Sequence, residues 1–199
     1  MDRRALKRII EDRLAARDCE WLLSEGLPAG RLLRQLVQLL QRPDDLLKWR
    51  AVEALGRAAR ALPPSDPSLA EILRGLFWMM NDESGNLCRM APEAIGEILS
   101  ARPDLGPAFA PLLVPFLHEE PFEAGTLWAL CRMISSGCPE PEGVDPSDLS
   151  LALCHPDPRR RGLARRFCRL TGRPLPPGPP AVFEEYDAEG GGFTRSVEA

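Results

Sequence analysis

The chain has 199 residues, a formal net charge of −4 and a pI near 5.4. That length suits one domain or two small ones. The acidic balance supplies no basic surplus for neutralising phosphates, and no apolar run nears the roughly 20 residues that span a bilayer. Its apolar residues include 31 Leu against six Val, six Ile and one Tyr, a balance that favours helices over sheets. Residues 1–8 are too charged for the apolar centre of a signal peptide, so the expectation is a cytoplasmic protein that does not enter the membrane.

Taken in chain order, residues 3–17 set Leu6, Ile9, Ile10 and Leu14 on one stripe and predict a helix. A short helix over 18–24 ends at Gly26. Helices follow over 29–41 and 45–62, the second stopped by Pro63-Pro64. The next pair covers 68–80, with Ser68 as N-cap, and 87–101, around a polar break at 81–86. A third pair covers 107–118 and 122–136. The fourth covers 146–153 and 158–171, with Pro158 opening the last helix and Gly172 closing it. A Pro-rich linker spans 173–181. Beyond it, alternating apolar residues flank a Gly-rich turn over 182–199, and the segment reads equally as a small hairpin or a disordered acidic tail.

One signature returns along these second helices. Glu53-Ala54-Leu55-Gly56 recurs as Glu93-Ala94-Ile95-Gly96, and more loosely as Trp128-Ala129-Leu130-Cys131 and Arg165-Arg166-Phe167-Cys168. A helical unit repeating at this spacing marks a stacked array. Its last position, always small, implies close helix approach, so Cys131 and Cys168 read as buried free thiols. Trp49-Arg50-Ala51-Val52-Glu53-Ala54-Leu55-Gly56, and the helix after His155-Pro156-Asp157-Pro158, resemble HEAT-like repeats of the PBS-lyase type. The stretch 78–98 is similar to a small uncharacterised bacterial group of such proteins. The resemblance covers about residues 30–172. It implies an all-α, right-handed α-α superhelix, a HEAT-like solenoid of about four helical hairpins. Residues 1–28 then cap a repeat domain over 29–172, and 182–199 form the terminal hairpin or tail.

Such arrays hold protein or peptide partners on an extended face, so the resemblance implies a non-catalytic adaptor without cofactor. Two groups of residues are candidates for that contact. The polar break and its surroundings offer Asn81, Asp82, Glu83, Ser84 and Arg89, alongside helix capping as the plainer explanation. The repeat column offers Glu53, Glu93 and Trp128, with pairing of Glu53 to Arg57 and of Glu93 to Arg89 as the alternative. Trp49 and Trp128 read as packing residues or as exposed anchors, and Trp21 and Trp78 as packing residues.

The chemistry for catalysis is thin. His118-Glu119-Glu120 is one His-Glu unit where iron-dependent HEAT-repeat hydroxylases use several, and Cys154-His155 gives two ligands where structural zinc needs four. No nucleophile has an evident base, so neither an enzyme nor a bound metal is expected. A lyase-type or small-ligand enzyme is a reading by analogy with the repeat type. A nucleic-acid reading rests on Arg160, Arg161, Arg165 and Arg169 of the last helix, whose alternative partner is the acidic tail.

Overall fold

The computed structural model describes residues 3–24, 27–81 and 87–199, and the side chains of residues 3, 4 and 21–23 lie outside that description. Within it the protein is mostly helical, with one two-stranded antiparallel sheet. Among the described residues no helix is long and apolar enough to cross a membrane. The expected helix stop at Gly26 and the packing of Trp21 fall outside the described residues.

Helix α1 (Arg3–Ala15) buries Leu6, Ile10 and Leu14, the fourfold spacing of one face. After α2 (Cys19–Ser24), helices α3 (Ala29–Leu39) and α4 (Asp45–Ala61) form a pair. Asp44 starts α4 by accepting from the Leu47 N–H at 3.0 Å. The second pair is α5 (Ser68–Met80) and α6 (Ala91–Ala101). Ser68 is not the cap but the first helical residue, and the Asp66 side chain accepts from its N–H at 2.8 Å. Helix α6 begins at residue 91, later than the predicted 87, behind a turn closed by the Ala91 N–H on the Cys88 carbonyl. Pro92 then sits in its first turn, the place where a missing N–H is harmless.

The predicted helix over 107–118 is largely a different structure. A 3₁₀ turn over Pro103–Leu105 leads into a one-turn α7 (Gly106–Phe109) and a 3₁₀ stretch over Ala110–Leu117. Pro107, Pro111 and Pro115 recur every four residues and remove the N–H donors an α-helix would need. Helices α8 (Glu123–Ser135), α9 (Pro146–Leu153) and α10 (Pro158–Thr171) complete the series. Asp157 caps α10, and Gly172 ends it with φ 69°.

Helices α4, α6, α8 and α10 form a row in which each touches the next. The small positions of the repeated signature explain the spacing. A Cβ on Gly96 would lie 2.5 Å from the Ala129 Cα, so α6 and α8 meet backbone to backbone. Cys131 and Cys168 are buried, and desolvation lifts the Cys131 thiol pKa to about 12. The core falls into two clusters, one from α1 to α8 and one around α8, α9 and α10, with Trp128 packed against both.

The terminal segment is a hairpin, β1 (Ala181–Asp187) paired with β2 (Gly192–Glu198) in the register Tyr186 to Phe193. Its turn uses Gly191 at φ 73° and the Asp187 carboxylate, which accepts from the Glu189 and Gly190 N–H groups. A lone hairpin is marginal in water; this one docks on α10. Phe183 fills the space left by Gly162, where a Cβ would meet its ring at 2.3 Å. Arg166 grips Glu185 through both terminal nitrogens at 2.7 and 2.6 Å and Glu198 through Nε at 2.6 Å. Arg169 also pairs with Glu198.

Candidate functional site

The hairpin reaches from α10 to the other end of the helix row. Its tip is held by two arginines from the first elements. Arg17, itself at φ 57°, donates to the Ala188 and Glu189 carbonyls. Arg50 of α4 donates to the Gly191 carbonyl at 3.1 Å and to the Ala15 carbonyl at the end of α1. Main-chain oxygens of the hairpin turn are thus bound by side chains from the N-terminal helical region.

Beneath the hairpin lies an aromatic group built on Trp49. The Tyr186 ring stacks on it at 5.7 Å and 8°, and Trp128 meets it edge-on at 5.0 Å. The Arg159 guanidinium lies 5.8 Å from the same ring. Trp49 is therefore packing, although its partner comes from the terminal segment. Trp128 is half-buried and faces a cavity of about 150 Å³ with Tyr186 and the Arg132–Glu97 ion pair. Trp78, expected to pack, is instead exposed on α5.

Glu53 and Glu93 occupy equivalent places in the row, and neither is an exposed groove residue. Glu53 is buried and fully engaged. Its Oε1 accepts from Arg57 at 2.8 Å, as the expected one-turn pair, and its Oε2 accepts from the Tyr186 hydroxyl at 2.7 Å. Arg17 adds a third donor group. Burial raises the Tyr186 pKa strongly, helped by the Glu53 bond, so the phenol stays protonated and donates.

Glu93 is 2% exposed. It pairs not with Arg89 but with Arg159, from 66 residues away, at 3.0 Å on Oε1. Its Oε2 has no hydrogen-bond partner among the described residues. The carboxylate fits because residue 125 is glycine: a Cβ there would stand 2.6 Å from Oε2. Burial holds the Glu93 carboxyl above the ordinary carboxylate range, against the opposing pull of Arg159 and Lys48.

Glu93 and Gly125 line a cleft of about 420 Å³ between the row and the hairpin, whose walls include Trp49 and Tyr186. Lys48, Arg89 and Glu184 also line it, with Arg89 and Glu184 exposed. The structure therefore brings Arg89 and Glu93 to one cleft, with Trp128 and Glu53 on the adjoining cavity. Asn81 does not join them. It caps α5, donating to the Phe77 carbonyl at 2.9 Å. Asp82, Glu83 and Ser84 lie outside the described residues.

The arginines of α10 turn inward to the protein. Arg160 donates to Glu123, Arg161 to the His155 carbonyl, Arg165 to the Pro176 carbonyl and Arg169 to the Ala199 carbonyl. The two histidines make separate local contacts, His118 to Asp148 and His155 to the Asp157 N–H. Among the described residues no three His, Cys, Asp or Glu are grouped to hold a metal.

Arg17, Lys48, Arg50 and Tyr186 are not marked as site residues by the sequence. The partners of Arg17, Arg50 and Tyr186 lie far along the chain, and only the single tyrosine in a chain poor in aromatics was a usable signal.

No family model matches the chain, and no solved structure does. Over 85 residues it is 36% identical to an uncharacterised protein of Archaeoglobus fulgidus, an overlap covering 43% of this chain and 44% of that relative.

Proposed function

We propose that the chain is a HEAT-like helical-repeat adaptor, non-catalytic, that binds a protein or peptide segment on the face formed by α4, α6, α8 and α10. One observation carries this reading. The face already holds a segment of its own chain, the terminal hairpin, by arginine donors to the main-chain carbonyls of its turn and by an aromatic side chain of its first strand set on Trp49 and Glu53. Guanidinium donors to main-chain carbonyls and a seat for one aromatic side chain are groups that a partner polypeptide could also use. The adjoining cleft of about 420 Å³ leaves part of that face open beside Arg89 and Glu93.

The nucleic-acid reading draws less support, since Arg160, Arg161, Arg165 and Arg169 each hold a group of the protein itself. An adaptor of this kind works by holding, so its test is binding. The full chain is panned against a random-peptide display library, and selected peptides are measured on the parent and on a Lys48→Glu/Arg89→Glu variant. Selected peptides are expected to bind the variant about tenfold more weakly, the effect of losing about 1.4 kcal/mol. Equal binding to both proteins, or no selected peptide, contradicts the proposal.

A further inference from the structure

The two acidic positions of the row differ in what they hold. Glu53 and Glu93 are equivalent by repeat, and so are the residues one turn before them, Trp49 and Arg89. At the first position Tyr186 lays its ring on Trp49 and donates its hydroxyl to Glu53. At the second, no described group takes the Tyr186 role. Glu93 keeps an oxygen without a partner among the described residues while 2% exposed, and it lines an open cleft with Arg89. A guanidinium, like an indole, offers a flat surface on which an aromatic ring can stack.

The charges around the cleft narrow the ligand. Lys48 pairs with Asp45, Arg159 with Glu93, and Glu185 with Arg166. Among the described residues the remaining charges are Arg89 and Glu184, one of each sign, so this lining favours neither a bare cation nor a bare anion. It suits a neutral donor on a flat ring. The volume of about 420 Å³ is enough for one such side chain and its flanking main chain.

Resting on the peptide-binding reading above, we propose that this cleft takes the phenol side chain of a tyrosine from a partner polypeptide. The hydroxyl donates to Glu93 and the ring stacks on Arg89, repeating in trans what Tyr186 does in cis at Glu53.

The test is an amide-shift titration of the ¹⁵N-labelled full chain with four probes: p-cresol, and acetylated, amidated Gly-Tyr-Gly, Gly-Phe-Gly and Gly-Lys-Gly. The tyrosine peptide and p-cresol should both shift the amides of Arg89, Glu93 and Gly125. The phenylalanine peptide should bind about tenfold more weakly, the loss of one hydrogen bond to a charged acceptor. Arg89→Ala, an exposed change, should weaken the tyrosine peptide, and Glu93→Gln should narrow its advantage over phenylalanine. If Glu93→Gln fails to fold, the comparison of tyrosine with phenylalanine on the parent protein decides the matter. Equal binding of those two peptides, tighter binding of the lysine peptide, or no shifts at these amides overturns the inference. Tyrosine-free peptides that win the display selection and map to this cleft overturn it too, while leaving the adaptor reading intact. Shifts with p-cresol but not with the tyrosine peptide overturn the polypeptide half and count against the adaptor reading itself.

Discussion

Glu53 and Glu93 have the same repeat position and opposite situations, and the difference predicts separable behaviour. For Glu93, burial raises the folded-state pKa above the ordinary value of 4.5. Between that value and the raised one, the native protein keeps a proton that the unfolded chain has released. Stability through this group is therefore lost as pH rises across the window. Glu93→Gln removes the titration, so the variant should gain stability relative to the parent as pH rises from 4.5. Urea unfolding at a series of pH values measures it, and a pH-independent difference would contradict the assignment. For Glu53, Tyr186→Phe removes the hydroxyl donor from a buried carboxylate that keeps its arginines. The expected cost is about 1–2 kcal/mol, read from the same unfolding curves. The acidic column was legible in the sequence, but its burial was not. Carboxylates on a helix face ordinarily point to water, and the groups that cover these two come from 36, 66 and 133 residues away.

At the scale of elements, the small residues of the repeated signature are unequal. A methyl on Gly96 meets the backbone of Ala129, whereas a methyl on Gly56 meets the Glu97 side chain. Gly96→Ala should therefore destabilise by about 1–3 kcal/mol, as overpacking does. Gly56→Ala should cost less, because a side chain can shift and alanine favours the helix by about 1 kcal/mol. The hairpin is anchored by Arg166, which holds Glu185 and Glu198 together. Arg166→Ala leaves both carboxylates without that partner, and amide hydrogen exchange in β1 and β2 should then accelerate more than in α4 or α6. Uniform acceleration would mean that the hairpin does not open separately. Helix placement followed from leucine spacing and capping residues, and α5, α9 and α10 match the predicted bounds. The segment 107–118 did not, because its apolar residues suit a helix face while its prolines forbid the α-helical hydrogen bonds. The terminal segment stayed open between hairpin and tail, since its order depends on docking to α10 rather than on its own pairing.

For the whole molecule, burial separates the cysteines. Five are buried, and desolvation raises the pKa of each, while Cys154 is exposed. Ellman's reagent should modify one thiol rapidly in the native protein and the other five only after denaturation, counted by absorbance. The long-range ties are more telling for function. Arg17 and Arg50 join the first helices to the tip of the last hairpin, so the two ends of the chain close over one face of the helix row. That face, with Glu93 in its open cleft, is where the proposed partner binds. Site-specific photocrosslinking tests this most directly. A benzophenone side chain is placed at position 184 beside the cleft or at position 78 on α5, in the full chain expressed in its native host. The account predicts discrete protein adducts from position 184, absent from position 78 and abolished by Lys48→Glu/Arg89→Glu. Adducts of equal yield from both positions, or none from position 184, would contradict it.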